Sequence, residues 1–261
     1  MTITTSFDPD SPAIITPEQM ARVRPGTGFP DTMVVTFQPR TFAVFLEQYE
    51  TTPLPGIYLE EEIDSTAPVQ VGRAYAFEFQ KRTLACCLSS IGAPGAVAML
   101  EKAIAYGVKN VVVFGTCGAL VPHVDEGVLI VPSSAYRDEG TSYHYAFASD
   151  YIPVASASTT DSILTDLGVP HVVAPVWTTD GFFRETRSNM AKRVAEGCVA
   201  VDMEASALAA LAQFRKVAIH HFLYTADSLS EAGWDPRTIA KLPAEPRARY
   251  LRIAMEIAVR L

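Results

Sequence analysis

The chain has 261 residues, of which 49% are hydrophobic, and this fits one large domain better than two small ones. Its formal net charge of -8 leaves no broad basic face for duplex nucleic acid, so we expect no nucleic-acid partner. A few arginines or a helix N-terminus would still suffice to bind a small anion.

The chain also lacks the patterns of membrane, secreted and metal-binding proteins. It contains no apolar run of about 18 residues, and its first residues carry no secretion-signal pattern. The four cysteines include no C-x-x-C pair, and adjacent Cys86 and Cys87 lie in an apolar run that is typical of core residues. We therefore expect a cytoplasmic protein with no membrane span, no disulfide framework and no metal site.

Residues 1–30 are rich in Pro, Gly and Thr and predict an irregular arm ahead of a single domain of residues 31–261. The predicted strands are Thr32–Phe37, Tyr75–Phe79, Thr83–Leu88, Val111–Phe114, Val128–Val131 (ended by Pro132), Val172–Val176, Val199–Val201 and Val217–Tyr224. The predicted helices are Thr41–Tyr49, Ala96–Tyr106, Asp161–Leu167, Ser188–Glu196 (capped by Ser188), Ala205–Phe214 and Pro246–Val259. This alternation predicts an α/β fold with a central mixed β-sheet flanked by helices, in which ligands bind at the carboxyl ends of strands.

The segment Gly115–Leu120 follows a strand that is predicted to be buried on both faces. Two glycines around a hydroxyl let the backbone approach a ligand, and Thr116 can donate to an oxyanion, with Gly115 beside it. The alternative is a tight turn after the strand. The segment lacks the lysine of a Walker motif and the third glycine of a dinucleotide fingerprint.

The segment Arg137–Tyr145 combines charges, hydroxyls and aromatic rings without a clear period, as loops that line binding sites often do. Arg137 and His144 are its candidate functional residues. A solvated polar loop is the alternative interpretation.

Asp202, Met203 and Glu204 lie where a predicted strand ends and a helix begins. A carboxylate at such a place can accept hydrogen bonds from two neighbouring sugar hydroxyls, and a methionine can cover the face of a sugar. The alternative is that both acids only complement the dipole of the helix.

Two further candidates lie near strand ends. Asp227 follows the apolar run that ends at Tyr224, and it is a candidate general acid or, alternatively, a helix cap. Phe182, with Phe183 beside it, is a candidate to stack on a base or, alternatively, a core aromatic.

In this order, the five segments resemble the purine nucleoside phosphorylase and uridine phosphorylase superfamily, which also includes nucleosidases. The matching stretches are GTCGALVPHVDE (Gly115–Glu126), SAYRDEGTSYHY (Ser134–Tyr145), TDGFF (Thr179–Phe183), VDMEASA (Val201–Ala207) and TADS (Thr225–Ser228). The stretch PHVDEG is similar to the uridine phosphorylase branch, whereas Asp227 is similar to the purine-type members.

The resemblance implies cleavage of the N-glycosidic bond of a purine or pyrimidine nucleoside, with phosphate as the attacking group and no metal or organic cofactor. Positive charge builds on the sugar and negative charge on the base during this reaction, so a carboxylate near the sugar and an acid near the base both assist it. It further implies a homo-oligomer, either a dimer or a hexamer.

The resemblance also implies a role for each candidate residue. Glu204 would hold the ribose hydroxyls, Met203 would pack on the sugar with Asp202 beside it, Asp227 would protonate the leaving base, and Phe182 would stack near it. At the other end of the substrate, Gly115 and Thr116 would contact phosphate. The loop of Arg137 and His144 would help to form a contact with a neighbouring subunit.

Two positions depart from the phosphorolytic pattern. Val113 stands where such relatives usually carry an arginine, and the stretch Phe37–Thr41 lacks the glycine of their phosphate loop, which leaves Arg40 as its charge. Hydrolytic members lack these arginines and use water. For the base, Thr186 stands where pyrimidine-specific members carry a glutamine, with Arg184 and Arg187 nearby, so the type of base stays open.

Three hypotheses therefore follow from the sequence. The first is a nucleoside phosphorylase, the second is a phosphate-independent nucleosidase, and the third is a non-catalytic nucleoside-binding or storage protein on the same fold.

Overall fold

A computed structural model of the chain describes residues 2–21, 28–57, 68–237 and 244–261. Its α-helices are α1 Pro17–Ala21, α2 Pro39–Gln48, α3 Ala93–Ala105, α4 Ala157–Asp166, α5 Arg187–Ala195, α6 Ala205–Arg215 and α7 Ala244–Ala258. Its strands are β1 Thr32–Thr36, β2 Thr51–Pro53, β3 Ala74–Phe79, β4 Arg82–Leu88, β5 Asn110–Ala119, β6 Leu129–Asp138, β7 Tyr151–Pro153, β8 His171–Thr179, β9 Ala200–Asp202, β10 Ala218–Ser230 and β11 Gly233–Asp235. Parallel and antiparallel pairs are both present and helices pack on them, which confirms the predicted α/β fold with a mixed sheet.

The chain forms two compact units, one of Met1–Phe7 with Gly115–Leu242 and the other of Asp8–Phe114 with Pro243–Leu261. The predicted boundary between an arm of residues 1–30 and a domain of residues 31–261 stays a prediction. Within the described part of the arm, a 3-10 helix spans Ile3–Thr5 and α1 follows it, while residues 22–27 lie outside the described residues.

The unit of Asp8–Phe114 and Pro243–Leu261 is built around β1. All five residues of β1 are buried, because it lies between two parallel neighbours, β4 and the first half of β5. Strand β3 pairs antiparallel with β4, and helices α2 and α7 pack on each other and on β1. Cys86 and Cys87 of β4 are fully buried, which confirms that they are core residues.

The unit of Met1–Phe7 and Gly115–Leu242 contains most of the candidate site residues. Strand β6 pairs in parallel with β8, and β8 pairs in parallel with β9, while α4 and α6 both pack on β6 and β10. The register places Arg137 opposite Thr178, and Thr178 opposite Asp202. The carboxyl ends of three parallel strands therefore meet at one edge, where the fold class predicts a ligand site.

Three strands are longer than the sequence pattern indicated. Strand β5 was predicted to end at Phe114, but it continues to Ala119 because Gly118 and Ala119 pair antiparallel with β9. The prediction that Pro132 ends β6 is wrong, because the strand continues to Asp138 after a register shift between Pro132 and Ala135. A proline is tolerated at such an irregularity because the ladder of hydrogen bonds is already interrupted there. Strand β10 runs on past Tyr224, so Asp227 lies within a strand.

The predicted cap of the helix after the aromatic segment is also wrong. Helix α5 begins at Arg187, and the side chain of Thr186 accepts a hydrogen bond from the backbone N–H of Asn189 at 3.4 Å. Ser188 lies within the helix. The predicted stop is confirmed, since Gly197 adopts a φ of 96° directly after the cap residue Glu196, a conformation that favours glycine.

No helix in the described parts of the chain is long and apolar enough to cross a membrane.

Candidate active site

The turn from β9 into α6 holds Asp202 in a network of hydrogen bonds. Its Oδ1 accepts from the hydroxyl of Thr178 at 2.7 Å, and its Oδ2 accepts from the backbone N–H groups of Glu204 at 3.0 Å and Ala205 at 2.7 Å. The side chain is only 4% exposed. Three donors from the chain thus occupy both oxygens, which is the pattern of an acid that shapes a helix start.

Burial raises the pKa of Asp202 to about 6, although the three hydrogen bonds favour the carboxylate. Glu204, two residues further on, stands immediately before α6 and is 6% exposed, while Met203 between them is half-buried. The turn therefore places a second buried acid beside a partly accessible methionine at the carboxyl end of β9.

The segment after β6 is tied to the same helix start. Glu139 is buried and accepts from the hydroxyl of Ser206 at 2.9 Å and from the backbone N–H of Ser142 at 3.0 Å. The backbone N–H of Ser206 donates in turn to the hydroxyl of Thr178 at 3.1 Å. Strand β8, helix α6 and the segment after β6 thus form one hydrogen-bonded support for the Asp202 turn.

Arg137 belongs to β6, within the segment that was predicted as a loop that lines a site or, alternatively, a solvated polar loop. Its Nε donates to Ser142 at 2.8 Å, its Nη1 donates to the carbonyl of Phe147 at 2.6 Å, and its guanidinium lies 4.0 Å from the centre of the Tyr143 ring. Burial lowers the pKa of Arg137. These contacts give Arg137 the role of holding the segment together, whereas His144, in the 3-10 helix Thr141–His144, is exposed.

The glycine-containing segment lies within β5. Gly115 is buried and Thr116 is half-buried. Gly118 pairs with Val201 of β9, and a Cβ added at Gly118 would lie 2.6 Å from Leu229 Cδ1, 3.1 Å from Val201 Cγ1 and 3.3 Å from Asp227 Oδ1. Gly118 therefore lies beside both the strand leading to the Asp202 turn and the strand carrying Asp227.

Asp227 of β10 is half-buried, and its Oδ2 accepts a hydrogen bond from the indole N–H of Trp234 at 2.7 Å. Burial raises the pKa of Asp227, while the bond from Trp234 and the charge of Arg237 oppose that rise. The pKa of Glu185 rises to about 7 through burial and through repulsion from the charge of Asp227. Two interacting carboxyl groups with raised pKa values are typical of a site that handles protons.

Glu185 and Trp234 were not among the residues predicted from the sequence. Glu185 lies two residues after Phe183, and its nearness in sequence to two candidate rings was the available signal. Trp234 lies on β11, a three-residue strand without a detectable period, so no pattern identified it.

Phe182 and Phe183 lie in a 3-10 helix of Phe182–Arg184 and are 50% and 88% exposed, with ring centres 3.9 Å apart. Their exposure argues against the core-aromatic alternative. Just beyond them, Arg187 donates from Nε to the carbonyl of Glu231 at 3.0 Å, which ties the start of α5 to the turn between β10 and β11.

The remaining candidates belong to the unit built around β1. Arg40 is exposed in the first turn of α2, and Val113 is fully buried within β5. Among the described residues, no group of three or more His, Cys, Asp or Glu side chains is arranged to hold a metal ion.

Comparisons with known proteins agree with this architecture. A purine nucleoside phosphorylase of the DeoD type from Caldanaerobacter subterraneus subsp. tengcongensis is 26% identical over 214 residues, which is 79% of this chain and 91% of that protein. A guanosine phosphorylase from Halorubrum lacusprofundi is 27% identical over 136 residues, which is 50% of this chain and 55% of that protein. The fold is similar to that of a purine nucleoside phosphorylase from Toxoplasma gondii solved with immucillin-H, with a TM-score of 0.71 and 18% identity over 95% of this chain and 96% of the other.

The match to the phosphorylase superfamily and the relatives named phosphorylases identify this α/β protein as an enzyme. A family model described as the phosphorylase superfamily matches residues 33–251, and the chain belongs to that superfamily.

Proposed function

We propose that the protein cleaves the N-glycosidic bond of a purine nucleoside, with inorganic phosphate as the attacking group, to give the free base and ribose 1-phosphate. Membership of the phosphorylase superfamily supports the reaction class, and relatives that are named purine nucleoside and guanosine phosphorylases support the purine. No metal or organic cofactor enters this reaction.

The observation that carries the proposal is the position of Gly118. Its backbone pairs with Val201, one residue before the Asp202 turn, and its missing side chain leaves room beside Oδ1 of Asp227. This supports the assignment, because the strand that carries Gly118 lies beside Val201, which precedes the proposed acid for the sugar, and beside Asp227, the proposed acid for the base.

We assign Glu204 to the ribose hydroxyls and Met203 to the face of the sugar. A buried carboxylate accepts hydrogen bonds from two adjacent hydroxyls and favours the positive charge that builds on the sugar. Asp202, whose oxygens already accept from the chain, holds the turn that positions both residues.

We assign Asp227 to the leaving base as its general acid. A raised pKa keeps more of the carboxyl protonated near neutral pH, and a protonated carboxyl can donate to the nitrogen on which negative charge develops. Phe182, half exposed nearby in sequence to Glu185, is assigned to stacking on the base.

We assign the phosphate to the backbone at Gly115 and the hydroxyl of Thr116. Val113 favours a second candidate function, a phosphate-independent nucleosidase. Its fully buried side chain offers no charge to an anion at the position where phosphorolytic relatives carry an arginine.

We also propose a cytoplasmic homo-oligomer, either a dimer or a hexamer, in which the exposed His144 contributes to a contact with a neighbouring subunit and Arg137 holds the segment that presents it. Light scattering on the purified chain would measure the mass. A monomer at the concentration of the activity assay would contradict this assembly.

A product assay tests the reaction. The protein is incubated with inosine, guanosine, adenosine and uridine, with and without inorganic phosphate. We expect phosphate-dependent release of a purine together with ribose 1-phosphate. Release of ribose at the same rate without phosphate would favour the nucleosidase, preferential cleavage of uridine would contradict the purine assignment, and no cleavage of any nucleoside would contradict the proposal as a whole.

A further inference from the structure

The hairpin of β10 and β11 places a tryptophan against the candidate acid. Its register pairs Ser228 with Asp235, Leu229 with Trp234 and Ser230 with Gly233. Trp234 is 67% exposed, yet its indole N–H donates to Oδ2 of Asp227 at 2.7 Å.

A second tryptophan shows why this contact is unusual. Trp177 is 1% exposed, and its indole N–H donates to Oδ2 of Asp138 at 3.0 Å. A buried indole needs a partner, because an unsatisfied N–H in the core is costly. An indole on the surface has water as a partner, so satisfaction of the N–H does not account for the bond between Trp234 and Asp227.

The contact makes the two oxygens of Asp227 different from each other. Oδ2 is held by Trp234, whereas Oδ1 lies 3.3 Å from the position of a Cβ at Gly118, on the side of the Asp202 turn. We propose that Trp234 is a positioning residue, which fixes the Asp227 carboxyl through Oδ2 so that Oδ1 serves the leaving base. This inference rests on the proposed function of Asp227.

The charges around Asp227 determine how its pKa changes when the hydrogen bond from Trp234 is removed. Arg237 and the indole N–H favour the carboxylate form of Asp227, whereas burial opposes it. The charge of Asp227 in turn disfavours the charged forms of Glu185 and Cys117. Removal of the indole N–H therefore raises the pKa of Asp227 further. If protonated Asp227 is the active form, the alkaline limb of the pH profile then moves to higher pH.

The variant Trp234→Phe tests the inference, because it keeps an aromatic ring in the hairpin and removes only the donor. We expect kcat on a purine nucleoside with phosphate to fall about tenfold with little change in KM, and the alkaline limb of kcat/KM to move to higher pH. The matched control is Ser230→Ala, which removes a hydrogen bond to Gly233 within the same hairpin and should leave both quantities unchanged. A fall in kcat without movement of the limb, or no effect at all, would overturn the positioning role.

Tryptophan fluorescence gives a readout that needs no substrate. The difference in emission between wild type and Trp234→Phe isolates Trp234, since Trp177 is present in both. We expect this difference to titrate with Asp227 and to lose its pH dependence when Asp227→Asn is placed in both backgrounds. Titration that survives Asp227→Asn, or no titration in wild type, would overturn the contact. If the fluorescence titrates with Asp227 but the protein cleaves no nucleoside, the contact between Trp234 and Asp227 is supported and the proposed function is wrong.

Discussion

The Asp202 turn and the Asp227 hairpin each present an acid to the candidate site, but they are built in opposite ways. Asp202 is almost fully buried and accepts three hydrogen bonds from its own chain, whereas Asp227 is half-buried and accepts from one exposed indole. The first arrangement fixes a backbone turn, and the second leaves a carboxyl whose proton is easily exchanged. We infer that hydrogen bonds fix the backbone at the sugar end of the site, whereas at the base end the surroundings of Asp227 set its protonation state.

The largest effect is expected at Glu204. Glu204→Ala removes the proposed acceptor of two sugar hydroxyls, and because each hydrogen bond to a charged group contributes about 1.5–3 kcal/mol, kcat/KM should fall by about a thousandfold or more. Steady-state kinetics on a purine nucleoside measure it. Asp166→Asn, at an exposed acid in the last turn of α4, is the matched control and should retain activity. A Glu204→Ala variant that stays fully active would contradict the assignment of Glu204 to the ribose hydroxyls.

A smaller effect, on stability, is expected at Asp202. Asp202→Asn exchanges one acceptor oxygen for an NH₂ group, so at least one of the three donors loses its partner. The free energy of unfolding should fall by about 1–3 kcal/mol. Urea denaturation of both proteins measures the difference. If stability were unchanged while sugar-dependent turnover was lost, Asp202 would bind the substrate and would not hold the turn. The contrast drawn between Asp202 and Asp227 would then be wrong.

A pH effect is expected at Glu185. Its pKa in the folded protein is about 7, above the ordinary value of 4.5, so between these pH values the folded state binds more protons than the unfolded state. The contribution of Glu185 to stability should therefore fall as pH rises through this window. Denaturation midpoints of wild type and Glu185→Gln, measured from pH 4.5 to 7.5, should show a shallower decline in the variant. Parallel curves would show that Glu185 titrates normally.

The smallest effect is expected at the start of α5, beside the base end. Thr186→Ala removes a long capping hydrogen bond and should cost about 0.5 kcal/mol, whereas Ser188→Ala within the helix should cost less. Thermal denaturation of the two variants compares them. A larger loss of stability in Ser188→Ala than in Thr186→Ala would show that Ser188 caps the helix.

The elements that the sequence predicted best are those whose apolar period is strong. The buried runs at β1, β5 and β10 and the helix after Glu204 were all located, because burial on both faces or on one helical stripe leaves a clear pattern. Strand continuations past Phe114, Pro132 and Tyr224 were missed. The continuations of β5 and β6 depend on pairing with strands distant in sequence, whereas β10 continues into a hairpin with β11. Glycine, proline and polar residues hide both kinds of pairing in the sequence.

The site was predictable to the extent that single residues carry its chemistry. Glu204 and Asp227 were identified from their places after apolar strands, whereas the partners that set their behaviour were not. The bond from Trp234 and the repulsion from Glu185 both arise from packing of a hairpin and a 3-10 segment, neither of which has a period. For the same reason, the sequence predicted a loop at Arg137 and did not reveal its bonds to Ser142 and Phe147.

The most direct test of the central claim compares two substrates of the Asp227→Asn variant. Guanosine needs a proton or a donor at its leaving base, whereas 7-methylguanosine already carries positive charge on the base and needs neither. We predict that Asp227→Asn lowers kcat/KM for guanosine by about a hundredfold or more and changes that for 7-methylguanosine far less. An equal loss on both substrates, or full activity on guanosine, would contradict Asp227 as the general acid.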